Sequence, residues 1–317
     1  MDNESASLNQ RFVEALVRLI PRFETTDEKL GLAVSGGPDS MALLLLAYKN
    51  FPGRIAAATV DHGLRPASRT EAEFVASICR ERGIPHDILR PVVPIRGSIQ
   101  SAARRARYGL LQDWMKDNHL HWLATAHHAD DQLETMIMRI LRGSGIDGMS
   151  GIRAKRANII RPLLHFRKTE LESYVADAGI EAVDDPSNKD QGFDRVRVRN
   201  TLRDLEGFDI ALASQSADAL GAAREAIEWV VDLLGEEHIR VTDSGCILVK
   251  TDFPHEIQRR LLLKCLHICK PALSPRGSQI DQTIIALKQG DTVTLGDILC
   301  RSDGAWSFQA APERRNI

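Results

Sequence analysis

The stretch Leu30-Gly31-Leu32-Ala33-Val34-Ser35-Gly36-Gly37-Pro38-Asp39-Ser40, continued by Met41-Ala42-Leu43-Leu44-Leu45-Leu46, decides the fold. Leu30 to Val34 is a short apolar run that reads as a buried strand, and Met41 to Leu46 reads as a helix. Strand, glycine turn and helix in this order are how α/β proteins hold a phosphate, because the helix N-terminus offers backbone N–H groups to an anion. Gly36 and Gly37 let those groups approach without a Cβ in the way. Pro38 suits the first helical position, where no intrahelical N–H bond is lost, and Ser35 and Ser40 add hydroxyls. Asp39 repels phosphate and makes sense if a divalent cation sits between carboxylate and phosphate. The loop lacks the Gly-Lys-Ser/Thr ending of a Walker A loop and the Gly-x-Gly-x-x-Gly of a dinucleotide fingerprint.

Further strands follow at regular intervals. Arg54 to Asp61 is apolar and runs into Asp61-His62-Gly63-Leu64-Arg65. Ligands in open α/β sheets gather at the carboxyl ends of strands. Asp61 and His62 therefore either face a nucleotide or cap a turn. His86 to Val93 reads as a third strand, and Ser98 to Asn118 as a long helix with Arg104 and Arg107 on one face, solvated or set against phosphate. His121 to Ala126 is a fourth strand that ends in His127-His128-Ala129-Asp130-Asp131-Gln132-Leu133-Glu134-Thr135. Two aspartates at a helix start are ordinary capping and dipole chemistry, but two histidines before them exceed what a cap needs. The spacing does not make a His-Glu-x-x-His zinc helix.

Arg139 and Arg142 precede a glycine-rich loop over residues 143–151, which reads as a gate or a backbone-tight binding surface. Asn158 to Leu164 reads as a strand and Arg167 to Gly179 as a helix. Arg195, Arg197, Arg199 and Arg203 fall in one segment, where like charges repel unless an anion answers them. They read as a phosphate-facing strip or as a surface strip among scattered acids.

The 317 residues suggest two domains, or one large domain with an appendage. Hydrophobic residues at 43% and charged residues at 26% fit a soluble globular protein, and the net charge of -2 hides local arginine clusters. Cys79, Cys246, Cys265, Cys269 and Cys300 form no Cys-x-x-Cys pair, which argues for a reducing compartment and against a disulfide scaffold. No apolar run is long enough to span a membrane, and Met1-Asp2-Asn3-Glu4 lacks the basic start of a signal peptide, so the expected location is the cytoplasm. Composition changes after Gly207. Ala211 to Leu234, Glu256 to Cys269 and Ser278 to Lys288 read as helices, and Gly245 to Lys250, Asp291 to Gly296, Ile298 to Arg301 and Trp306 to Ala310 as strands. The expected fold is α/β, an open mostly parallel sheet with helices on both faces, over residues 1–207. A small C-terminal α+β appendage with a tRNA-binding or accessory role is expected over 208–317.

The Ser35–Ser40 hexapeptide resembles the PP-loop of the N-type ATP pyrophosphatases. Taken with Asp61-His62-Gly63-Leu64-Arg65, the segment Thr125 to Thr135, Arg161-Pro162-Leu163-Leu164, Asp185-Pro186-Ser187-Asn188 and Arg199-Asn200, the chain resembles the tRNA(Ile)-lysidine synthetases over roughly residues 28–207. That resemblance implies joining of lysine to C2 of the wobble cytidine of the CAU-anticodon isoleucine tRNA, with ATP cleaved to AMP and pyrophosphate. It implies ATP and Mg2+ as cosubstrate and cofactor, and free L-lysine and that tRNA as partners. A homodimer is compatible with it, and no membrane is involved. Ser35, Gly36, Gly37, Pro38, Asp39, Ser40, Asp61 and His62 would hold ATP, with Asp39 on the metal. His127, His128, Asp130, Asp131 and Glu134 would hold the lysine ammonium and accept its proton, because a lysine of pKa near ~10.4 must be deprotonated to attack. Arg104, Arg107, Arg195, Arg197, Arg199 and Arg203 would meet tRNA phosphates. The competing readings are a tRNA sulfur transferase, which needs cysteines near the site, and a small-molecule amide-forming ligase. A non-catalytic nucleotide- or RNA-binding module would not need Asp39 and the carboxylate cluster.

Overall fold

The apolar runs bounded by glycine, proline or charge become strands, and the segments between them become helices. The computed structural model of the chain describes residues 2–63, 67–91, 99–183, 197–199, 201 and 209–312. Leu64, Arg65, Asp185 to Asn188, Arg195, Asn200 and Arg203 lie outside the described residues. The first unit runs α1 (Asp2–Leu19), β1 (Leu30–Ala33), α2 (Pro38–Asn50), β2 (Ile55–Val60), α3 (Ala67–Glu81) and β3 (His86–Leu89). It continues with α4 (Ile99–Asp117), β4 (Trp122–Ala124), α5 (Ala129–Ile140), α6 (Ile146–Met149), β5 (Lys155–Arg156), β6 (Ile159–Ile160) and α7 (Lys168–Asp177).

The strand order is β3-β2-β1-β4-β6-β5. Every pairing is parallel except β5 with β6. Side chains alternate across this sheet, so β2 feeds two cores. Ala57 packs into the layer of Phe12, Leu43, Val75 and Leu171, while Ala56 and Ala58 pack against Leu111, Trp114 and Met115 of α4. Helices therefore cover both faces, as expected for the α/β class. Gly31 of β1 permits the α4 layer to close: a Cβ there would lie 2.8 Å from Cζ3 of Trp114. Trp114 is held in turn by its indole N–H, which donates to Asp87 Oδ2 at 2.8 Å.

The segment 158–164 is strand only at Ile159–Ile160. Pro162 has no N–H to give a ladder, and residues 162–165 turn instead. Ahead of it, Lys155–Arg156 pairs back antiparallel across a turn in which Ala157 takes φ 49.

The chain divides into two compact units, Met1–Gly221 and Ala222–Ile317, and the helix Ile210–His238 runs across the division. The second unit holds an antiparallel sheet in the order β7 (Ile239–Thr242), β8 (Gly245–Leu248), β11 (Trp306–Ala310), β10 (Ile298–Ser302), β9 (Val293–Leu295). The helices His255–Cys269 and Gly277–Lys288 pack Leu261, Leu262, Ile280 and Ile284 into one core with Cys246, Trp306 and Phe308. Cys265 and Cys300 lie fully buried in this core, and all five cysteines are free thiols. Among the described residues, no helix is long and apolar enough to cross a membrane.

Candidate active site

The order β3-β2-β1-β4 reverses direction of growth at β1, so the chain leaves β1 and β4 toward opposite sides of the sheet. A crevice opens at such a switch point beyond the strand ends. Here it is a cleft of about 830 Å³, bounded by Ser35, Gly37 and Asp39 after β1 and by Thr125, Ala126 and His127 after β4.

The loop after β1 is shaped by its own side chains. Gly36 takes φ +92, which L-residues rarely adopt, and its carbonyl accepts from the Val183 N–H at 3.0 Å. Gly37 is extended and caps α2, with Pro38 at the helix start. The Ser40 hydroxyl donates to the Gly37 carbonyl at 2.9 Å and accepts from the Ser35 N–H at 3.1 Å, so it folds the loop. Asp39 keeps Oδ1 buried without a hydrogen-bond partner among the described residues. His62 lines the cleft at the end of β2. Asp61 does not: its Oδ1 accepts from Gly63 N–H at 3.0 Å and Ser68 Oγ at 2.6 Å, and Oδ2 from Arg90 Nε at 3.1 Å. The Ser68 bond, with Gly63 and Arg90, holds the Asp61 carboxyl below its usual range against its own burial.

The strand end at β4 carries two histidines in opposite states. His128 caps α5, and its backbone N–H donates to Asp131 Oδ2 at 3.2 Å. Its Nε2 lies 3.5 Å from both Asp39 Oδ2 and Asp131 Oδ2, and its Nδ1 lies 3.5 Å from Asp130 Oδ2. Burial alone would discharge this ring. The carboxylates of Asp130, Asp39 and Asp131 outweigh it and raise the imidazole to about 10. His128 is therefore an imidazolium that joins the loop helix to α5, and it has no lone pair with which to take a proton. His127 is lowered to about 3 by burial, helped by Arg161, Arg104 and Arg107 and opposed by Asp131. It stays neutral, bonded to Thr125 Oγ1 at 3.0 Å, and is a weak base.

Arg104 and Arg107 belong to the cleft wall formed by α4, with their guanidinium carbons 5.1 and 5.5 Å from the Tyr108 ring centre. Both line the cleft, Arg104 as an exposed residue and Arg107 as a half-buried one. Arg161 is buried nearby, donating to the Arg153 carbonyl at 2.7 Å. Glu134 and Arg199 meet each other: Nε to Oε1 is 2.6 Å and Nη2 to Oε2 is 3.1 Å, with the Glu134 side chain 4% exposed. The anion that answers Arg199 is thus a carboxylate of the chain itself. Arg197, two residues earlier, is exposed.

Asp130 turns its Oδ2 to the backbone N–H of Lys168 at 2.8 Å, which fixes the start of α7 beside the cleft. Of Asp130, Asp131 and Glu134, it is Asp131 that stands on the cleft wall. Lys168 and Tyr108 also line the cleft and escaped the reading of the sequence. Lys168 carried one usable signal, a cation in a first helical turn where acids are favoured.

The PP-loop domain family matches residues 6–206. The chain is 40% identical over 297 residues to a tRNA(Ile)-lysidine synthase of Zymomonas mobilis, covering 90% of each protein. It is 39% identical over 295 residues to one of Novosphingobium aromaticivorans, again covering 90% of each. Among solved structures it is similar to the U34-tRNA thiolase NcsA of Methanococcus maripaludis, at 18% identity and a TM-score of 0.55 over 68% of this chain and 80% of that one. This last likeness is one of fold.

Proposed function

Because this chain belongs to the tRNA(Ile)-lysidine synthase family of PP-loop proteins, an ATP-dependent ligase family of tRNA modification, we propose that its cleft joins lysine to C2 of the wobble cytidine of the CAU-anticodon isoleucine tRNA. The observation that carries this reading is that the phosphate loop and the acidic motif after β4 face one cleft, bridged by His128 between Asp39 and Asp131. A phosphate-activating group and an amine-binding group are thereby within reach of one substrate.

The C2 oxygen of cytidine is a poor leaving group, and adenylation makes it a good one. The loop N–H groups are suited to hold the outer phosphates of ATP. The buried, partnerless Oδ1 of Asp39 fits a Mg2+ contact, and Mg2+ would spread phosphate charge there.

The incoming lysine must bind as an ammonium and react as an amine. Asp131 is the group best suited to hold that ammonium and stand beside its proton, because it is the carboxylate of the fourth-strand motif that lines the cleft. Glu134, engaged by Arg199, is a positioning residue in this reading, as are Asp61 at its turn and Asp130 at the start of α7. Arg104, Arg107 and Arg197 are proposed to meet the RNA, and the cytoplasm, where tRNA is matured, is the proposed location.

A sulfur-transfer reading finds no support in the cleft. Among the described residues no cysteine lines it, and burial pushes the Cys79 thiol up to about 11. The test is incubation with isotopically labelled lysine, ATP and a panel of tRNAs. Label retained only on the CAU-anticodon isoleucine tRNA is the expected result. Label on a free small molecule, or on no product, would sink the reading.

A further inference from the structure

Lys168 stands where local forces argue against it. It opens α7, just after the capping residue Arg167, so a cation sits at the positive end of the helix dipole. Its ammonium rests 3.5 Å from Glu172, one turn on. A lysine placed N-terminal to its glutamate is the weaker of the two orientations for such a pair. With side chains 30% and 46% exposed, the pair adds little to stability. Neither helix formation nor ion pairing accounts for a cation at this site.

The cleft does. Three cations line it among the described residues: Arg104, Arg107 and Lys168. The two arginines lie on α4 with Tyr108. Lys168 lies on the loop side, where α7 packs on α2. It is anchored through Asp130 and His128 to Asp39. On that side the wall is otherwise acidic, with Asp39, Glu71 and Glu172 all facing the cleft. A polyphosphate held by the loop would meet carboxylates and backbone dipoles, with Lys168 as the charged donor.

We propose that Lys168 is a catalytic residue of ATP cleavage, its ammonium moving from Glu172 to the oxygens of the departing pyrophosphate. This rests on the reading of the cleft as the ATP site. As the cytidine O2 bonds to the α-phosphorus, the bond from that phosphorus to the α–β bridging oxygen breaks. The electron pair stays on the bridging oxygen, AMP remains on the base, and Lys168 donates hydrogen bonds to the pyrophosphate without losing its proton.

The test is single-turnover pyrophosphate release by the full chain with ATP, Mg2+, lysine and tRNA, comparing wild type, Lys168→Met and Lys168→Arg. Lys168→Met should slow release about 100-fold or more at saturating ATP, the loss typical of a missing donor to developing charge. Its KM for tRNA and for lysine should stay within about threefold, and Lys168→Arg should recover about tenfold over Met. A Met variant releasing pyrophosphate at the wild-type rate overturns the proposal. So does one whose cooperative melting is lost, or one in which Arg is no better than Met, since either marks a structural role. Lysine transfer by the wild type is scored separately. If another acceptor or amine proves to be the substrate, the ligation reading falls while the Lys168 comparison is made on that reaction. A wild-type chain unable to split ATP at the α–β bond overturns both.

Discussion

The two walls of the cleft solve opposite electrostatic problems with the same residue type. On the loop side, Asp39, Asp130 and Asp131 surround His128 and keep it charged. On the α4 side, burial keeps His127 neutral, opposed by Asp131 and helped by Arg161, Arg104 and Arg107. The rings are adjacent in sequence and both are largely buried, so desolvation pushes both the same way. What separates them is how far carboxylates offset that burial: three do so at His128, while Asp131 alone does not at His127. The lesson is that charge is unevenly spread around the cleft: carboxylates gather about His128 on the loop side, and arginines stand on the α4 side.

The widest effect is expected in the histidines themselves. In ring-resonance NMR across pH, His128 should stay protonated through neutrality and titrate near about 10, while His127 should stay neutral down to about 3. The linked stability terms have opposite slopes. The His128 contribution is full below the ordinary value of 6.5 and is lost as pH rises through about 10. His127 lowers stability as pH falls below 6.5 toward about 3, because the unfolded chain takes a proton that the folded one refuses. Two rings titrating together near neutrality would remove this contrast.

Next in size is the loss of one carboxylate from the group around His128. Asp39→Ala deletes the buried, partnerless oxygen and one of the anions that charge His128. Pyrophosphate release with tRNA and lysine present should fall by about 10³-fold, in the range seen when a charge-stabilising group is removed. A pyrophosphate-coupled assay checks it, and near-normal turnover would take Asp39 out of the chemistry.

The position of the cleft is legible in the chain, but the opposite states of His127 and His128 are not. The strands β1 to β4 announce themselves as apolar runs, and both site clusters sit where such runs end. The loop also declares itself, because Gly36 and Pro38 are residues that only that geometry uses well. Local patterning fails where tertiary packing decides. The strand expected over residues 158–164 stops at Ile160 because Pro162 ends the ladder. The strand Ile239–Thr242 follows the helix Ile210–His238 with no intervening breaker to mark it. Lys168 and Tyr108 reach the cleft only because α7 and α4 are folded against the sheet there. The Glu134–Arg199 pair joins residues 65 apart, and no spacing rule could announce it.

That pair turns one basic segment into two kinds of arginine, and the smallest predicted effects separate them. Arg199 grips a buried carboxylate, so Arg199→Gln should lower unfolding stability by about 2–4 kcal/mol by removing the guanidinium that pairs with Glu134. It should leave the salt dependence of tRNA binding unchanged, since its guanidinium is engaged by Glu134. Arg197 is exposed, and Arg197→Gln should do the reverse. Melting should be nearly unaffected, while the slope of log affinity for tRNA against log salt should become shallower by about 0.7, the share of one contact to a single-stranded phosphate. Denaturant melts and filter binding at several salt concentrations read the two arms independently. If both variants flatten the salt slope equally, the Glu134 pair opens to RNA in the complex and the segment is one phosphate-facing strip. If neither does, the anion-holding surface is confined to the α4 wall, where Arg104 and Arg107 would have to carry it.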